Sequence, residues 1–240
     1  MNIFKYISRF FKWVLIFFFT SSILSVVILK WMPVYYTPLM LSRNYDRWLM
    51  NREPKCEHEW IALEQISPSM PRAVIAGEDA HFLEHSGFDF KEIYKARLDA
   101  LKAEEKGDTD YRARGASTIS QQTAKNVFLW HGRDLLWVRK ALEAYFTVLI
   151  EKIWGKDRIM EVYLNSIEMG DGIYGIEAAA REKLHTRPSL INDSKAALIA
   201  ATLPNPLKRD SAKPSAKVRK RQRAIMREMR FVPAHEWRTN

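Results

Sequence analysis

Two carboxylates, Glu78 and Glu143, stand sixty-five residues apart, each inside a patterned polar block. Glu78 opens Glu78-Asp79-Ala80-His81-Phe82-Leu83-Glu84-His85-Ser86-Gly87, and Glu143 closes Arg139-Lys140-Ala141-Leu142-Glu143. Paired acids are the usual equipment for making or breaking glycosidic bonds, one exchanging a proton and the other working opposite it. Cations beside one of them point to a leaving group that carries negative charge. Exchanging a proton near neutrality requires apolar neighbours around a carboxylate, and Ala73, Val74, Ile75 and Phe82 are the candidates for Glu78. The bland alternatives are a helix end carrying surface acids, and an Arg139–Glu143 ion pair four residues apart. A solvated pair of that kind is worth only about a few tenths of a kcal/mol. The strongly apolar segment that follows Glu143 argues for partial burial.

Between the acids lies Gly115-Ala116-Ser117-Thr118-Ile119-Ser120-Gln121-Gln122-Thr123-Ala124-Lys125-Asn126. Neighbouring glutamines on a helix point about 100° apart, so at most one of Gln121 and Gln122 squarely faces a given cavity. Ser117 or Thr118 is an N-cap candidate. The functional alternative is a polar cradle for a sugar, with Lys125 one turn beyond Gln121 on the same face. Lys125 and Arg133 are then placed to hold a phosphate through charge-assisted hydrogen bonds.

The elements that carry these groups read as helices. Residues 32–60 hold Pro33, Pro38 and Pro54 and form a connecting stretch with one short helix near Leu39–Leu49. Pro68 and Pro71 frame the start of a helix that delivers Glu78 at its end. Apolar spacing over Ile93, Ala96, Leu98 and Leu101 predicts a helix from Phe90 to Lys106, and the polar segment Gly107–Gly115 is expected to be a mobile loop. Further helices are predicted over Ser117–Phe128 and Leu135–Trp154, the second with a buried stripe of Leu142, Phe146, Leu149 and Ile153. Lys156–Asn165, Ile176–Leu184 and Ser194–Leu203 complete the set. No run of strands and no repeat is evident, so the fold class is mostly α.

A formal charge of +10 favours an anionic partner, whether nucleic acid, phospholipid or a phosphate-bearing substrate. The single cysteine, Cys56, excludes an internal disulfide and a thiol-rich metal site. From Trp13 to Leu29 the chain carries no charge, and Lys12 and Lys30 bracket this run. No small-residue cleavage site follows it, so it reads as an uncleaved transmembrane anchor, extended through Trp31-Met32, rather than a signal peptide. Lys5, Arg9 and Lys12 place the amino terminus in the cytoplasm and the remaining domain on the far side of the membrane. That topology leaves little room for nucleic acid. The basic stretch from Lys208 to Arg230 reads as a solvated amphipathic helix, with contact to anionic lipid headgroups as the alternative.

Together these blocks resemble the peptidoglycan glycosyltransferases, the lysozyme-like family that polymerises lipid II. The family's Glu-Asp-x-x-Phe-x-x-His-x-Gly pattern is met at Glu78–Gly87, Gly-x-Ser-Thr-Ile-x-Gln-Gln at Gly115–Gln122, and Arg-Lys-x-x-Glu at Arg139–Glu143. Lys156–Asn165, the glycine-rich run through Gly170 and Gly175 to Ala178–Ala180, and Leu203-Pro204-Asn205-Pro206 continue the likeness in order. It implies a lysozyme-like helical domain with a smaller membrane-proximal jaw lobe, preceded by one transmembrane helix. The expected layout is a cytoplasmic terminus (1–12), an anchor (13–32), a membrane-proximal linker (33–66), a glycosyltransferase domain (67–207) and a basic tail (208–240).

The resemblance also implies roles. Glu78 is the base that deprotonates the acceptor hydroxyl, and Glu143 sits on the donor side. Lys125, Arg133, Arg139 and Lys140 face the departing pyrophosphate, while Ser117, Gln121 and Gln122 hold sugar or phosphate oxygens. Asp79, Phe82, His85, Gly87 and Asn165 support the site, as do Glu161 and Tyr163. No cofactor is demanded, since no ligand cluster is evident, although a divalent cation (Mg or Mn) near Glu143 stays open. The implied partners are lipid II, the growing glycan chain, the bacterial inner membrane, and cell-division or other peptidoglycan-synthesis proteins. A tethered lytic glycosidase and a non-enzymatic lipid II-binding scaffold are the rival readings.

Overall fold

The computed structural model describes residues 3–107, 115–130 and 136–237. Its helices run in the order α1 (Ile3–Leu29), α2 (Pro38–Leu49), α3 (Ser69–Glu78), α4 (Phe90–Glu105) and α5 (Ile119–Phe128). They continue as α6 (Leu136–Ile153), α7 (Gly155–Ser166), α8 (Gly175–Leu184), α9 (Asp193–Thr202) and α10 (Ala216–Glu228). The fold is mostly helical, as expected for a lysozyme-like domain behind one long apolar helix.

Two helices organise the core. Every residue from Arg158 to Ser166 in α7 is buried, as is every residue from Ala196 to Thr202 in α9. Helices with no exposed face belong in an interior. Around them, α5 packs on α6 and α7, while α3 and α10 both pack on α9. The small side chains of α9 allow close approach. At Gly77 on α3, an added Cβ would stand 3.1 Å from Ile225 of α10 and 3.7 Å from Ala200 of α9. Glycine there lets α10 reach the end of α3.

The structure corrects several expectations. A small sheet is present, with β1 (Glu57–His58) parallel to β3 (Ile173–Tyr174), and β2 (Glu168–Gly170) antiparallel to it. Its strands are two or three residues long, and β2 and β3 are buried throughout, so no alternation marks them. The expected linker is folded into the body, because β1 belongs to this sheet and α2 packs against α5. The basic tail forms the expected amphipathic helix with its apolar stripe packed on the body: Val218, Gln222 and Ile225 of α10 are buried, as is Met229 beyond it. On α6 the fully buried positions are Glu143, Phe146, Thr147 and Ile150, a stripe rotated from the predicted one. Leu142, Leu149 and Ile153 pack at its margin. In α4 only Ala103 is buried, and Ile93 and Leu101 face outward. The expected mobile loop falls mostly on residues 108–114, outside the described residues.

From Phe4 to Leu29, α1 is long and apolar enough to cross a membrane. Its carboxyl-terminal half is fastened to the body. Ser22 and Tyr145 share a hydrogen bond of 2.8 Å, and the Trp154 indole donates to the Val26 carbonyl at 2.7 Å. Beyond them, Arg158 donates to the carbonyls of Leu29 and Met32 at the end of the helix. The same guanidinium pairs with Glu161, and both side chains are almost fully buried. Arg158→Ala is expected to destabilise the protein by about 3–5 kcal/mol, because Glu161 is left as an unpaired buried charge. Thermal unfolding of the detergent-solubilised chain measures this, with the exposed Lys217→Ala as the control; equal losses would contradict it.

Candidate active site

Helix α3 ends at Glu78 because Asp79 leaves helical geometry, at φ −160° and ψ 78°. The buried Asp79 carboxylate accepts the Ile119 N–H at 3.0 Å. Ile119 is the first residue of α5, so an anion sits at the positive end of that helix. His85 completes the arrangement. The Gly87 N–H donates to its Nδ1 at 3.1 Å, which leaves the proton on Nε2 to be donated to Asp79 at 2.9 Å. Thr118 caps α5 and also donates its hydroxyl to the Gly87 carbonyl at 2.7 Å. Gly87 has φ +93°, and a Cβ there would lie 2.8 Å from Thr147, so both backbone and space require glycine. Phe82 is fully buried beneath the Lys156 ammonium, which stands 4.5 Å from the ring centre.

This bracing presents Glu78 to a cavity of about 650 Å³. One carboxylate oxygen accepts from Gln122 Nε2 at 3.3 Å, and the other from Arg221 Nη2, also at 3.3 Å. Arg221 holds its position through the Gly77 carbonyl at 3.0 Å. Gln122 is held in turn by the Tyr163 hydroxyl, which donates to its Oε1 at 3.3 Å. Only 11% of the Glu78 side chain is exposed. Burial raises its carboxyl above the ordinary value, while the Arg221 cation and the Gln122 hydrogen bond pull against that shift.

Ser117, Gln122 and Lys125 line the same cavity, together with Asn126, Arg43, Glu168, Arg221 and the Leu203-Pro204 turn. Glu143 is buried and paired with Lys140. It reaches the cavity electrically rather than as part of its wall. Burial lowers the Lys125 ammonium below the usual lysine value; Glu143 opposes this, and Arg139 and Lys140 add to it. Lys125 on the cavity wall therefore forms one charged cluster with Glu143, Arg139 and Lys140 behind it.

Most expected residues converge, with informative exceptions. Gln121 does not face the cavity. Its Oε1 accepts the Thr118 N–H at 3.1 Å, closing the capping box at the start of α5. Asn165 lies behind the site, bonded to both backbone groups of Ile61 and to the Glu161 carbonyl. Arg133 lies outside the described residues. Arg43, Glu168 and Arg221 were not anticipated. Arg221 could have been found from the Val218, Ile225 and Met229 spacing, which buries one stripe of α10 and sets Arg221 one turn from Ile225.

A nearly buried carboxylate facing a cation-lined cavity, on a lysozyme-like helical scaffold, defines an enzyme acting on glycosidic bonds beside an anionic group. The sequence matches the transglycosylase family model over residues 47–230. A biosynthetic peptidoglycan transglycosylase of Bacteroides thetaiotaomicron is 54% identical over 229 residues, covering 95% of this chain and 89% of the relative. Proteins of the same description from Bdellovibrio bacteriovorus and Pseudomonas aeruginosa are 46% and 44% identical. They cover 93% and 92% of this chain, and 86% and 91% of their own lengths. The chain belongs to the transglycosylase family.

The raised Glu78 carboxyl has a consequence for stability. Its folded value lies above the ordinary 4.5, so its contribution is fully present below that pH and is lost as pH rises through the folded value. Wild-type protein should therefore lose stability across that window relative to Glu78→Gln. A pH series of thermal unfolding checks it, and parallel curves for the two proteins would contradict it.

Proposed function

We propose that this protein is a peptidoglycan glycosyltransferase that polymerises lipid II into β-1,4-linked glycan strands, releasing undecaprenyl pyrophosphate. The observation that carries the reading is Glu78, held nearly buried between Gln122 and Arg221 at the wall of a cavity that Lys125 also lines. Glu78 takes the proton from the acceptor 4-hydroxyl as that oxygen attacks the donor anomeric carbon. The bond from that carbon to the pyrophosphate oxygen breaks, and the configuration inverts in one displacement without a glycosyl-enzyme. Lys125, with Arg139 and Lys140 behind it, stabilises the charge that grows on the departing pyrophosphate. Ser117 and Gln122 hold substrate oxygens.

Glu143 fixes the cations on the donor side through Lys140 and Lys125. Among the described residues, no group of three His, Cys, Asp or Glu side chains is placed to hold a metal. A divalent cation at Glu143 would have to displace the Lys140 ammonium. The anchor supports action at a membrane surface, with the amino terminus in the cytoplasm and the catalytic body periplasmic at the bacterial inner membrane. Cell-division and other peptidoglycan-synthesis proteins are the partners such a position would serve.

Purified protein incubated with labelled lipid II should form polymer, and Glu78→Gln should slow this by about 10²–10⁴-fold while leaving the fold intact. Near-normal polymerisation by that variant would overturn the assignment of the base. Loss of preformed polymer, with none made from lipid II, would instead indicate a lytic enzyme. Glu143→Gln should lower the rate by about 10²–10³-fold through disordered cations. If added Mg or Mn changes the wild-type rate and not that of Glu143→Gln, the carboxylate holds a metal; equal responses remove that role.

A further inference from the structure

Helix α2 joins the anchor to the catalytic body and has two distinct faces. Leu39 and Met40 are buried against Tyr174 of the small sheet. On the same inner side, Arg43 makes a two-pronged contact with Glu168 of β2: Nε to Oε1 at 3.0 Å and Nη2 to Oε2 at 2.9 Å. One turn later Arg47 pairs with Asp171 at 3.0 and 3.1 Å. The two pairs are not equivalent. Arg43 and Glu168 line the cavity that Glu78 faces, whereas Arg47 and Asp171 do not.

Docking of α2 alone does not account for Arg43. The side chain of its carboxylate partner is 8% exposed, whereas the Arg43 side chain is 38% exposed and lines the cavity. A fork contact fixes the plane of an arginine and engages Nε and one terminal nitrogen, so the donors of Nη1 stay available for a further anion. The Tyr174 hydroxyl, close enough to both groups to feel their charge, is buried and has no hydrogen-bond partner among the described residues. Among the described residues, the cavity wall carries three cationic side chains, Arg43, Lys125 and Arg221, against two carboxylates, Glu78 and Glu168. Meanwhile the outer face of α2 exposes Leu41, Tyr45 and Trp48 at helical spacing, shortly after α1 ends at Leu29. Aromatic residues so close to an anchor belong at headgroup level.

We propose that Arg43, oriented by Glu168, is a substrate-positioning residue on the membrane-side wall of the cavity, contacting the diphosphate of a lipid-linked substrate. The inference rests on the function proposed above and adds a contact from a segment that precedes Glu78. In it, α2 places one cation where a diphosphate on a membrane-embedded chain enters the site.

The test uses full-length protein in neutral detergent, titrated with geranylgeranyl diphosphate, alongside lipid II kinetics. Arg43→Ala should weaken diphosphate binding by about tenfold to a hundredfold, as expected for a lost hydrogen bond to a charged group. KM for lipid II should rise in parallel, with kcat within about threefold of wild type, as for a contact made equally in the ground and transition states. Arg43→Lys should recover part of the binding, and Glu168→Gln should weaken it by loosening the fork; Arg43→Lys carries the test if the alanine variant does not fold. Arg47→Ala should bind like wild type.

Unchanged binding and KM in Arg43→Ala would overturn the proposal, as would equal losses in Arg47→Ala, which mark a docking role only. Failure of wild-type protein to bind the diphosphate would also overturn it. Phosphatidylglycerol competing as strongly as the prenyl diphosphate, in an Arg43-dependent way, would reassign the residue to a headgroup contact. Arg43-dependent diphosphate binding without polymer formation would reject the polymerase reading alone.

Discussion

The contact between the Asp79 carboxylate and the Ile119 N–H is the constraint on which the site depends. It joins the end of α3 to the start of α5 across forty residues of sequence. Because Asp79 directly follows Glu78, fixing one carboxylate at a helix terminus fixes the backbone from which the other projects. His85 and Gly87 secure the same loop from its far end, and Thr118 ties it to α5 a second time. Gln122 lies one turn along α5 from Thr118, so the cap that orients the helix also aims this amide at Glu78. The polar residues of this loop therefore act chiefly on one another, and their joint product is the placement of a single carboxylate.

A second constraint links the site to α1, the helix long and apolar enough to cross a membrane. Arg158 holds the last carbonyls of α1 and pairs with Glu161, which in turn accepts the Leu63 N–H. Both ions are buried, and such a pair seldom adds net stability over apolar residues of similar size. Its value here lies in direction. A guanidinium can satisfy carbonyls at a helix end that no further turn of α1 is present to use. The anchor is thereby set at one angle to α7, the helix that also carries Tyr163 behind Gln122. The cavity is thus held at a fixed position relative to α1 rather than swinging on a linker.

Helix positions, the long apolar helix α1 and the convergence of Glu78, Ser117, Gln122 and Lys125 were legible because each rests on local signals. Prolines before α3, glycines after α6 and before α8, and an uncharged apolar run all act within a few residues. What stayed hidden depends on distant partners. The sheet has no periodicity to detect, since its strands are two or three residues long and β2 and β3 are buried throughout. Gln121 and Gln122 are equivalent as a string, and only the capping box separates the structural one from the one facing Glu78. Arg221 and Arg43 lie in segments whose charge reads as solvated, and packing of α10 on α9 and of α2 on α5 turns one arginine of each inward. A surplus of positive charge could be seen in composition, but the few cations that matter could not.

The same distinction explains why two buried acids in one domain need not do the same work. Glu143 is paired with Lys140 and lies in the field of Lys125, so its negative charge is already engaged. Glu78 has a weaker set of companions: one amide and one arginine, each at 3.3 Å, the arginine itself partly in solvent. Those contacts keep the carboxylate accessible to a proton without neutralising it, while burial raises its affinity for one. Gly77 lies at this junction, because a Cβ there would stand 3.1 Å from the Ile225 side chain of the helix that carries Arg221, and that side chain would have to shift for α10 to keep its place. Without the Arg221 cation, only the Gln122 amide and the charge of Arg209 would oppose burial, and the balance would move toward the protonated acid, which cannot serve as a base. The packing of α10 on α3, which carries Arg221 to Glu78, thus bears on how readily the site takes a proton.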